Sequence, residues 1–303
     1  MKKEGGTVKE NNLKGWLYIL PAIILLGAFM VYPLIDVLIY SFEEGYSFVS
    51  GQSFGYGIYN YMYVLNDSYF IDAVRNTFIL VFITVPVSTL LALLISLGLN
   101  SIKKLRGFFQ SIYFLPYVTN TLAIGLVFLI MFDLTPVSKG LFNVFLGWFG
   151  VGPIDFIDGA YWAKMLVLSL YVIWQVLPFK ILILTTALAN VKEDYYQAAK
   201  VDQASKWMIF KRITMPMISP MIFYLIITGF IGAFKEYNNA VSLFGANLDQ
   251  AGMNTIVGYV YNMLYANTGG YPSYASAAAI ILFIVVLTIT VINLLVKKRR
   301  AYY

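Results

Sequence analysis

The sequence contains no cysteine and no histidine. Without cysteine there can be no disulfide and no thiolate-bound metal ion. Without histidine the chain lacks the commonest general base and a frequent metal ligand. These absences argue against most hydrolytic enzymes. We therefore predict no catalytic residue, no metal site and no cofactor in this chain.

Charge is also scarce, since only 12% of the 303 residues are charged while 60% are hydrophobic. Soluble domains contain about 25% charged residues, so this composition indicates a chain that lies in a lipid bilayer. The net charge of +6 could suggest a nucleic-acid partner. The distribution of the basic residues instead favours a role in membrane orientation, and we expect no nucleic acid.

Six apolar segments are long enough to cross the hydrocarbon core, which takes roughly 20 helical residues. We place them at Trp16–Tyr40, Val74–Leu99, Ser111–Phe132, Trp162–Leu188, Met221–Asn238 and Tyr274–Val296. Their continuous apolar character excludes the alternating pattern of a membrane barrel. We therefore predict an all-α integral membrane protein with a polar arm (1–15), a six-helix domain (16–296) and a basic tail (297–303).

The basic residues predict the orientation of these segments. Most of the 21 Lys and Arg lie in the N-terminal arm, in the loops after the second and fourth segments, and in the tail. Cytoplasmic loops of membrane proteins carry such an excess. Both termini are therefore predicted to be cytoplasmic, and the long acidic loops 41–72 and 133–163 are predicted to face outward.

The loop between the fourth and fifth segments, at about 190–220, has the pattern of an amphipathic helix. Glu193 and Asp194 stand at its start, where a helix dipole favours acidic residues. From the pattern alone, a helix lying on the membrane surface is the simplest interpretation. Pro216 and Pro220 follow, and we expect them to interrupt the helix and fix the angle at which it joins the fifth segment.

The same loop resembles the EAA loop of ABC importer permeases, whose pattern is E-A-A-x3-G-x9-I-x-L-P. The matching positions are Gln197, Ala198, Ala199, Gln203, Ile213, Met215 and Pro216, with Asp202, Ala204 and Ser205 in its common D-G-A-S core. Segments such as "LYILPAIILLGAFMVYPL" and "LRGFFQSIYFLPYV" are similar to the sugar-permease branch, that of the maltose and glycerol-phosphate systems. The resemblance extends from about Trp16 to Arg300.

This resemblance implies the type I ABC importer permease fold, in which a cytoplasmic coupling helix lies between the fourth and fifth membrane helices. It implies that seven residues couple to an ATPase: Gln197, Ala198, Ala199, Asp202, Gln203, Ala204 and Ser205. The implied partners are a second homologous permease, two copies of a cytoplasmic ABC ATPase, an extracytoplasmic binding protein and membrane lipid. The implied location is the cytoplasmic membrane of a bacterium or an archaeon.

Two positions depart from the family pattern. Gln197 stands in place of glutamate, so a charged contact to the ATPase would become a neutral hydrogen bond of roughly half the strength. Gln203 stands in place of a glycine that permits a turn, so the chain is predicted either to continue as a helix there or to bend differently.

The chain itself has no ATP site of the Walker type. That motif requires a Gly-Lys pair in a phosphate-binding loop, and the dipeptide does not occur in this sequence. We therefore predict that the chain is not an enzyme and that a partner chain hydrolyses ATP.

Polar residues inside the fourth and fifth segments predict the substrate path. Gln175 and Phe179 fall on one helical face of the fourth segment, and Gly232, Glu236 and Asn239 fall on one face of the fifth. The resemblance places both faces at the cavity of maltose-type permeases. The alternative is that Glu236, Lys180 and Lys235 serve only to pair with one another or with the second permease.

The predicted function is transport of a carbohydrate, most simply an oligosaccharide. Within the importer class, Lys180 and Lys235 would favour a glycerol-phosphate-like or acidic sugar cargo, whereas Glu236 opposes it. An ion-coupled secondary transporter is the alternative from another class, but such transporters show internal repeats, and no clear repeat is visible. A membrane enzyme is disfavoured by the absence of paired intramembrane carboxylates.

Overall fold

The computed structural model describes residues 12–102, 112, 117, 119–135, 137–266 and 270–300. Three predictions fall on residues outside these ranges. They concern most of the N-terminal arm, the basic loop 103–106 and the first part of the third predicted span.

The described residues are almost entirely helical. Along the first part of the chain lie α1 (Asn12–Leu26), a π-helical turn (Gly27–Val31), α2 (Tyr32–Phe42), β1 (Glu43–Glu44), β2 (Gly55–Tyr56), α3 (Tyr59–Asn66) and α4 (Ser68–Ser101). The middle of the chain forms α5 (Thr121–Phe132), α6 (Leu141–Gly147), α7 (Tyr161–Ala189), α8 (Glu193–Val201) and α9 (Lys206–Ile209). A second π-helical turn (Phe210–Thr214) is followed by α10 (Met215–Ala233), α11 (Asn238–Phe244), α12 (Leu248–Ala251), α13 (Ile256–Tyr265) and α14 (Pro272–Arg300).

Five helical stretches among the described residues are long and apolar enough to cross a membrane. They are Gly15–Phe42, Ser68–Asn100, Tyr161–Ala189, Lys206–Ala233 and Pro272–Leu295. They correspond to the first, second, fourth, fifth and sixth predicted segments. The described part of the third segment is the shorter apolar helix α5. The chain is therefore a multi-pass membrane protein.

The fifth span differs from its prediction at both ends. It begins at Lys206 rather than Met221, because the helix passes through Pro216 and Pro220 without interruption. In the π turn, the amide N–H of Met215 donates to the carbonyl of Phe210, which is one residue further back than in an α-helix. In a regular α-helix the N–H of residue 220 would donate to the Pro216 carbonyl, but Pro220 has no N–H. The Ser219 hydroxyl donates to this carbonyl instead, at 2.8 Å. The prediction that these prolines break the helix is wrong.

The chain divides into two compact units. The first comprises residues 1–64 and 263–280. In this unit the Asn60 side chain donates to the carbonyls of Ser41 and Glu43, each at 3.0 Å. The hydroxyl of Ser273 donates to the same Glu43 carbonyl at 2.6 Å. The β1–β2 hairpin is therefore tied to the ends of α2, α3 and α14.

The second unit comprises residues 65–262 and 281–303. Its long helices α4 and α7 run parallel. At one level the Tyr161 hydroxyl donates to Asn76 at 2.9 Å, and further along the Ser96 hydroxyl donates to the Ile181 carbonyl at 3.2 Å. Because lipid offers no hydrogen-bond partners, such bonds between helices fix their relative register. Together with α10, these two helices form the walls of a cavity.

Candidate functional site

A cavity of about 310 Å³ lies between α4, α7 and α10. Its lining is Thr84, Val85, Ser88, Tyr117, Val172, Gln175, Val176, Phe179, Lys180, Leu225, Thr228, Gly229, Gly232, Ala233 and Glu236. Four of the five residues predicted for the substrate path belong to this lining. The exception is Asn239, which is buried beside it and bonded to two of its residues.

A hydrogen-bonded chain of polar side chains occupies one part of the cavity wall. The Asn239 amide group donates to Gln175 Oε1 at 2.7 Å and to Glu236 Oε2 at 3.1 Å. The backbone N–H of Asn239 donates to Glu236 Oε1 at 2.9 Å. The Gln175 amide donates in turn to the Thr121 hydroxyl at 2.7 Å. Amide and carboxylate groups are thereby fixed in place beside the cavity.

Glu236 and Asn239 lie together as the sequence predicts, but not because they share one face of a continuous helix. The predicted fifth segment carries them on one helical face, but α10 ends at Ala233 and α11 begins only at Asn238. Glu236 lies in the intervening loop and accepts the N–H of Asn239 near the start of α11. Free N–H groups at a helix start favour an acidic acceptor. The two residues therefore meet through a helix start and not through helical periodicity.

Aromatic side chains form another part of the lining. The rings of Tyr117 and Phe179 are stacked, with their centroids 5.7 Å apart and their planes inclined by 18°. On the opposite helix, a methyl group added at Gly232 would meet no atom within 4 Å. The cavity thus presents a flat aromatic surface next to open space, an arrangement that suits a ring-shaped ligand.

Lys180 is buried in the same wall and is bonded to α4. Its ammonium group donates to the hydroxyls of Ser88 at 2.7 Å and Thr89 at 2.9 Å, and to the Val85 carbonyl at 3.4 Å. None of these partners is a carboxylate. Lys235 is exposed, and Glu236 bonds to Asn239. The alternative in which these three charged residues pair with one another is therefore not what the described residues show.

The predicted coupling residues lie on α8, in the turn after it and at the start of α9. Gln203 has a φ of 53°, the only positive φ of a non-glycine residue in the described ranges. The chain therefore turns at Gln203 with a positive φ, a conformation that glycine adopts most readily, and does not continue as a helix. Ser205 caps the N-terminus of α9, where its hydroxyl accepts the N–H of Met208 at 3.2 Å. The side-chain amide of Gln197 donates to Glu193 at 2.9 Å.

The alanines of this stretch do not share one exposed surface. Ala199 is only 7% exposed and packs against its own chain, whereas Ala198 is exposed. That these alanines couple to an ATPase stays a prediction. Large apolar side chains are exposed nearby instead, with Val201 at 82% and Trp207 at 69%.

Comparison with known proteins identifies the family. Residues 61–301 match the family of binding-protein-dependent transport system inner membrane components. The chain belongs to this family. The match begins in α3 and includes the cavity, the coupling stretch and α14.

Relatives of this permease extend over nearly the whole chain. It is 30% identical to the lactose transport system permease protein LacF of Rhizobium radiobacter, over 94% of this chain and 93% of that protein. It is 30% identical to the arabinooligosaccharides transport system permease protein AraP of Bacillus subtilis, over 92% of this chain and 87% of that protein. It is 29% identical to the trehalose/maltose transport system permease protein MalF of Thermococcus litoralis, over 94% of this chain and 94% of that protein.

A solved structure shows the same fold. A bacterial ABC transporter involved in the import of the acidic polysaccharide alginate contains a chain that matches with a TM-score of 0.76 at 21% identity, over 95% of this permease and 96% of that chain. The predicted type I importer permease fold is confirmed.

Three features of the cavity were missed in the sequence. Thr84 and Ser88 are hydroxyl residues one helical turn apart within the apolar run of α4, and Tyr117 lies before α5. The spacing of Thr84 and Ser88 was a usable signal, because polar residues inside a span face the protein interior. The partners of Lys180 could not be read from sequence, since they lie 91 and 92 residues away.

Proposed function

We propose that this chain is the transmembrane permease subunit of an ATP-driven importer for a carbohydrate, with an oligosaccharide as the cargo. The observation that carries the proposal is the cavity, in which the stacked rings of Tyr117 and Phe179 lie in one lining with Gln175 and Glu236. Sugars present apolar ring faces together with many hydroxyl groups. Aromatic surfaces and fixed polar groups together match both features.

The printed names of several relatives support the choice of cargo. LacF, AraP and MalF are named for lactose, arabinooligosaccharides, and trehalose or maltose. These cargos differ in their sugars but share the carbohydrate class, so the proposal is restricted to that class. One observation favours a second candidate, an acidic carbohydrate. A lysine lines the cavity, and the structural neighbour imports the acidic polysaccharide alginate.

The proposed assembly follows from the family and from the absence of a Gly-Lys pair in the chain. Two copies of a separate ABC ATPase bind on the cytoplasmic side, where the exposed surface around Ala198, Val201 and Trp207 receives one of them. A second homologous permease supplies the other half of the path. An extracytoplasmic binding protein delivers the cargo. A related transporter has been solved with a periplasmic protein that holds an alginate pentasaccharide.

In this proposal the termini face the cytoplasm of a bacterium or an archaeon, as the distribution of basic residues predicts. The helix from Lys206 to Ala233 then joins the coupling surface directly to the cavity, since it begins beside Ser205 and its residues Gly229 and Gly232 line the cavity. Movement of a bound ATPase would reach the cavity wall through one continuous helix.

The proposal is tested by purifying the tagged chain with its native partners and reconstituting the complex in proteoliposomes. We expect uptake of a labelled oligosaccharide that requires ATP and the binding protein. The cargo panel contains neutral oligosaccharides, uronate oligosaccharides and glycerol phosphate. Uptake driven by a proton or sodium gradient without ATP would contradict the proposal. ATP-dependent uptake of glycerol phosphate alone would contradict the carbohydrate assignment.

A further inference from the structure

Helix α6 (Leu141–Gly147), in the loop between α5 and α7, carries a set of large apolar side chains that are exposed. They recur at helical spacing on one side of the helix and of the turn that follows it, and we call them the apolar face of α6: Leu141, Val144, Phe145, Trp148 and Phe149. Their exposed fractions lie between 45% and 78%. The ring of Phe145 lies 5.9 Å from that of Trp148 and 5.1 Å from that of Phe149, so the face is continuous. Apolar surface of this kind marks a contact with a membrane or with another protein.

The other side of α6 is fixed to the protein. The buried side chain of Asn143 donates to the Ile154 carbonyl and accepts the Ile154 N–H, each at 2.9 Å. The ring of Phe142 packs against that of Phe132, the last residue of α5, with the centroids 4.6 Å apart. The helix is therefore held in one orientation with respect to α5.

These contacts place α6 at the level where membrane helices end. The ring of Phe156 lies 5.4 Å from that of Phe142 and 6.5 Å from that of Trp162, the second residue of α7. Helix α7 is long and apolar enough to cross a membrane, and α5 is the described part of the third predicted span. Because α6 adjoins the end of one and the ring that contacts the start of the other, it lies near the boundary between hydrocarbon and headgroups.

Two observations favour lipid over a protein as the partner of this face. Residues 140–154 contain no charged side chain, whereas a surface that a soluble protein docks on and leaves is about as polar as the rest of a protein surface. Tryptophan is enriched where membrane meets water. Trp148 and Trp162 are both exposed, and both lie beside these helix ends.

We infer that α6 is an interfacial helix, whose apolar face lies in the membrane leaflet at which α5 ends and α7 begins. The distribution of basic residues predicts that this is the outer leaflet. Helices of this type bury their apolar face at the boundary between headgroups and acyl chains. The inference gives the chain a lipid-contact surface outside its spans, and it does not depend on the identity of the cargo.

The first experiment uses the absence of cysteine from the chain, which allows one nitroxide spin label to be placed at a chosen residue. Val144→Cys and Val137→Cys are a matched pair, because both replace an exposed valine of the same loop. Val137 lies in the turn between Leu134 and Lys139, before α6 begins. Each variant is labelled in the complex with its native partners in lipid nanodiscs. The complex with the cysteine-free wild-type chain measures any labelling of the partners.

Collision rates with oxygen, which concentrates in lipid, and with a water-soluble nickel chelate then locate each label. We expect the ratio of oxygen to nickel collisions to be several-fold higher at residue 144 than at residue 137. Equal ratios at the two positions would overturn the inference, because the face would then lie in water. Low accessibility of residue 144 to both reagents would overturn it as well, because another protein would then cover the face.

The second experiment adds Phe145→Glu and Trp148→Glu together to the chain labelled at residue 144. Two carboxylates disfavour insertion into lipid, so we expect nickel collisions at residue 144 to rise several-fold. The second permease and the ATPase should still co-purify with the chain. An unchanged label environment would contradict the inference. Loss of the second permease at normal expression of the chain would also contradict it, because the face would then belong to the contact between the two permeases.

Discussion

Asn239 bonds to two residues of the candidate site, one of them 64 residues away on α7. Its amide group contacts both Gln175 and Glu236, while its own carbonyl oxygen Oδ1 is buried without a partner. Hydrogen bonds to charged groups contribute about 1.5–3 kcal/mol each. Asn239 therefore has a structural role, because it holds the loop after α10. Its Oδ1 lies beside the cavity without a hydrogen-bond partner.

We predict that Asn239→Ala lowers the free energy of unfolding by about 1.5–3 kcal/mol, because Glu236 loses a buried donor. Uptake should fall roughly tenfold as the cavity wall loosens. Thermal unfolding and uptake assays on the purified complex measure both effects. The control is Asn247→Ala, which removes an exposed helix cap and should cost about 1 kcal/mol or less. An Asn239→Ala complex as stable as the wild type would show that the Gln175–Asn239–Glu236 chain contributes little.

Gln203 keeps a turn that its side chain disfavours. A non-glycine residue with a φ of 53° costs roughly 1 kcal/mol relative to glycine, because its Cβ approaches the following carbonyl. The turn persists because the N–H of Gln203 and that of Ala204 bond back to Lys200 and Ala199 at 3.1 and 2.9 Å, as at the end of many helices. Glutamine at this position thus makes the turn energetically less favourable than glycine would, while the two backbone hydrogen bonds hold it in place.

We predict that Gln203→Gly raises stability by at most about 1 kcal/mol, since relief of strain is partly offset by a more flexible unfolded chain. Assembly with the ATPase and uptake should be unchanged. Thermal unfolding checks the first expectation, and co-purification checks the second. Clear loss of the ATPase from the Gln203→Gly complex would instead mean that the glutamine side chain makes a specific contact.

At the scale of elements, the fifth span is one continuous helix that begins directly after the predicted coupling residues. The helix continues from Lys206 to Ala233. A π-helical turn (Phe210–Thr214) lies just before Pro216, which has no N–H to continue the α-helical hydrogen bonds. The stacked rings of Trp207 and Phe210, 5.6 Å apart, lie at its start. Helix α8 precedes it across the turn at Gln203, so a partner bound at α8 also adjoins this helix.

We predict that Ala198→Trp prevents co-purification of the ATPase while the chain still inserts and folds. Ala198 is exposed in the chain, so a large ring there would obstruct only a packed partner surface. Ala199→Trp is the contrasting variant. Because Ala199 is buried, its ring would disrupt the chain itself and lower expression. Normal ATPase yield with Ala198→Trp would show that Ala198 does not belong to the docking surface.

At the scale of the whole molecule, the described residues form a cavity and several apolar spans, and the sequence contains no Gly-Lys pair. The first span, Gly15–Phe42, has none of its apolar window buried within the chain. It is available to lipid or to the second permease of the proposed assembly. Transport by this molecule would therefore depend on partners for energy and for the rest of the path.

We predict that the purified chain alone hydrolyses no ATP, whereas the complex with its native partners does. Phosphate release from ATP, measured on both preparations at equal permease concentration, provides the comparison. A contaminating ATPase is controlled by a parallel preparation from cells that lack the tagged chain. Turnover by the isolated chain above that background would contradict the assignment as a transport subunit.

Much of the fold was predictable from sequence because the signals are strong and local. Long apolar runs can be satisfied only by membrane-spanning helices, so the five spans that the structure describes were all predicted, although the fifth begins at Lys206 rather than at Met221. The spacing from Gln197 to Pro216 and the surrounding segments identified the family, which the comparison confirmed. The importer fold followed from the family.

Other features were decided by tertiary contacts. The end of α10 at Ala233 has no clear signal in the sequence, since Phe234 and Lys235 are compatible with a helix. The chain leaves the helix there, and the Glu236 carboxylate accepts the N–H of Asn239 while Gln175, on another helix, binds the same asparagine. Likewise, Lys180 finds its partners on α4, and Thr84 is left without one. Sequence periodicity determines which residues share a helix face, but only the packing of the helices determines which buried polar groups find partners and which do not.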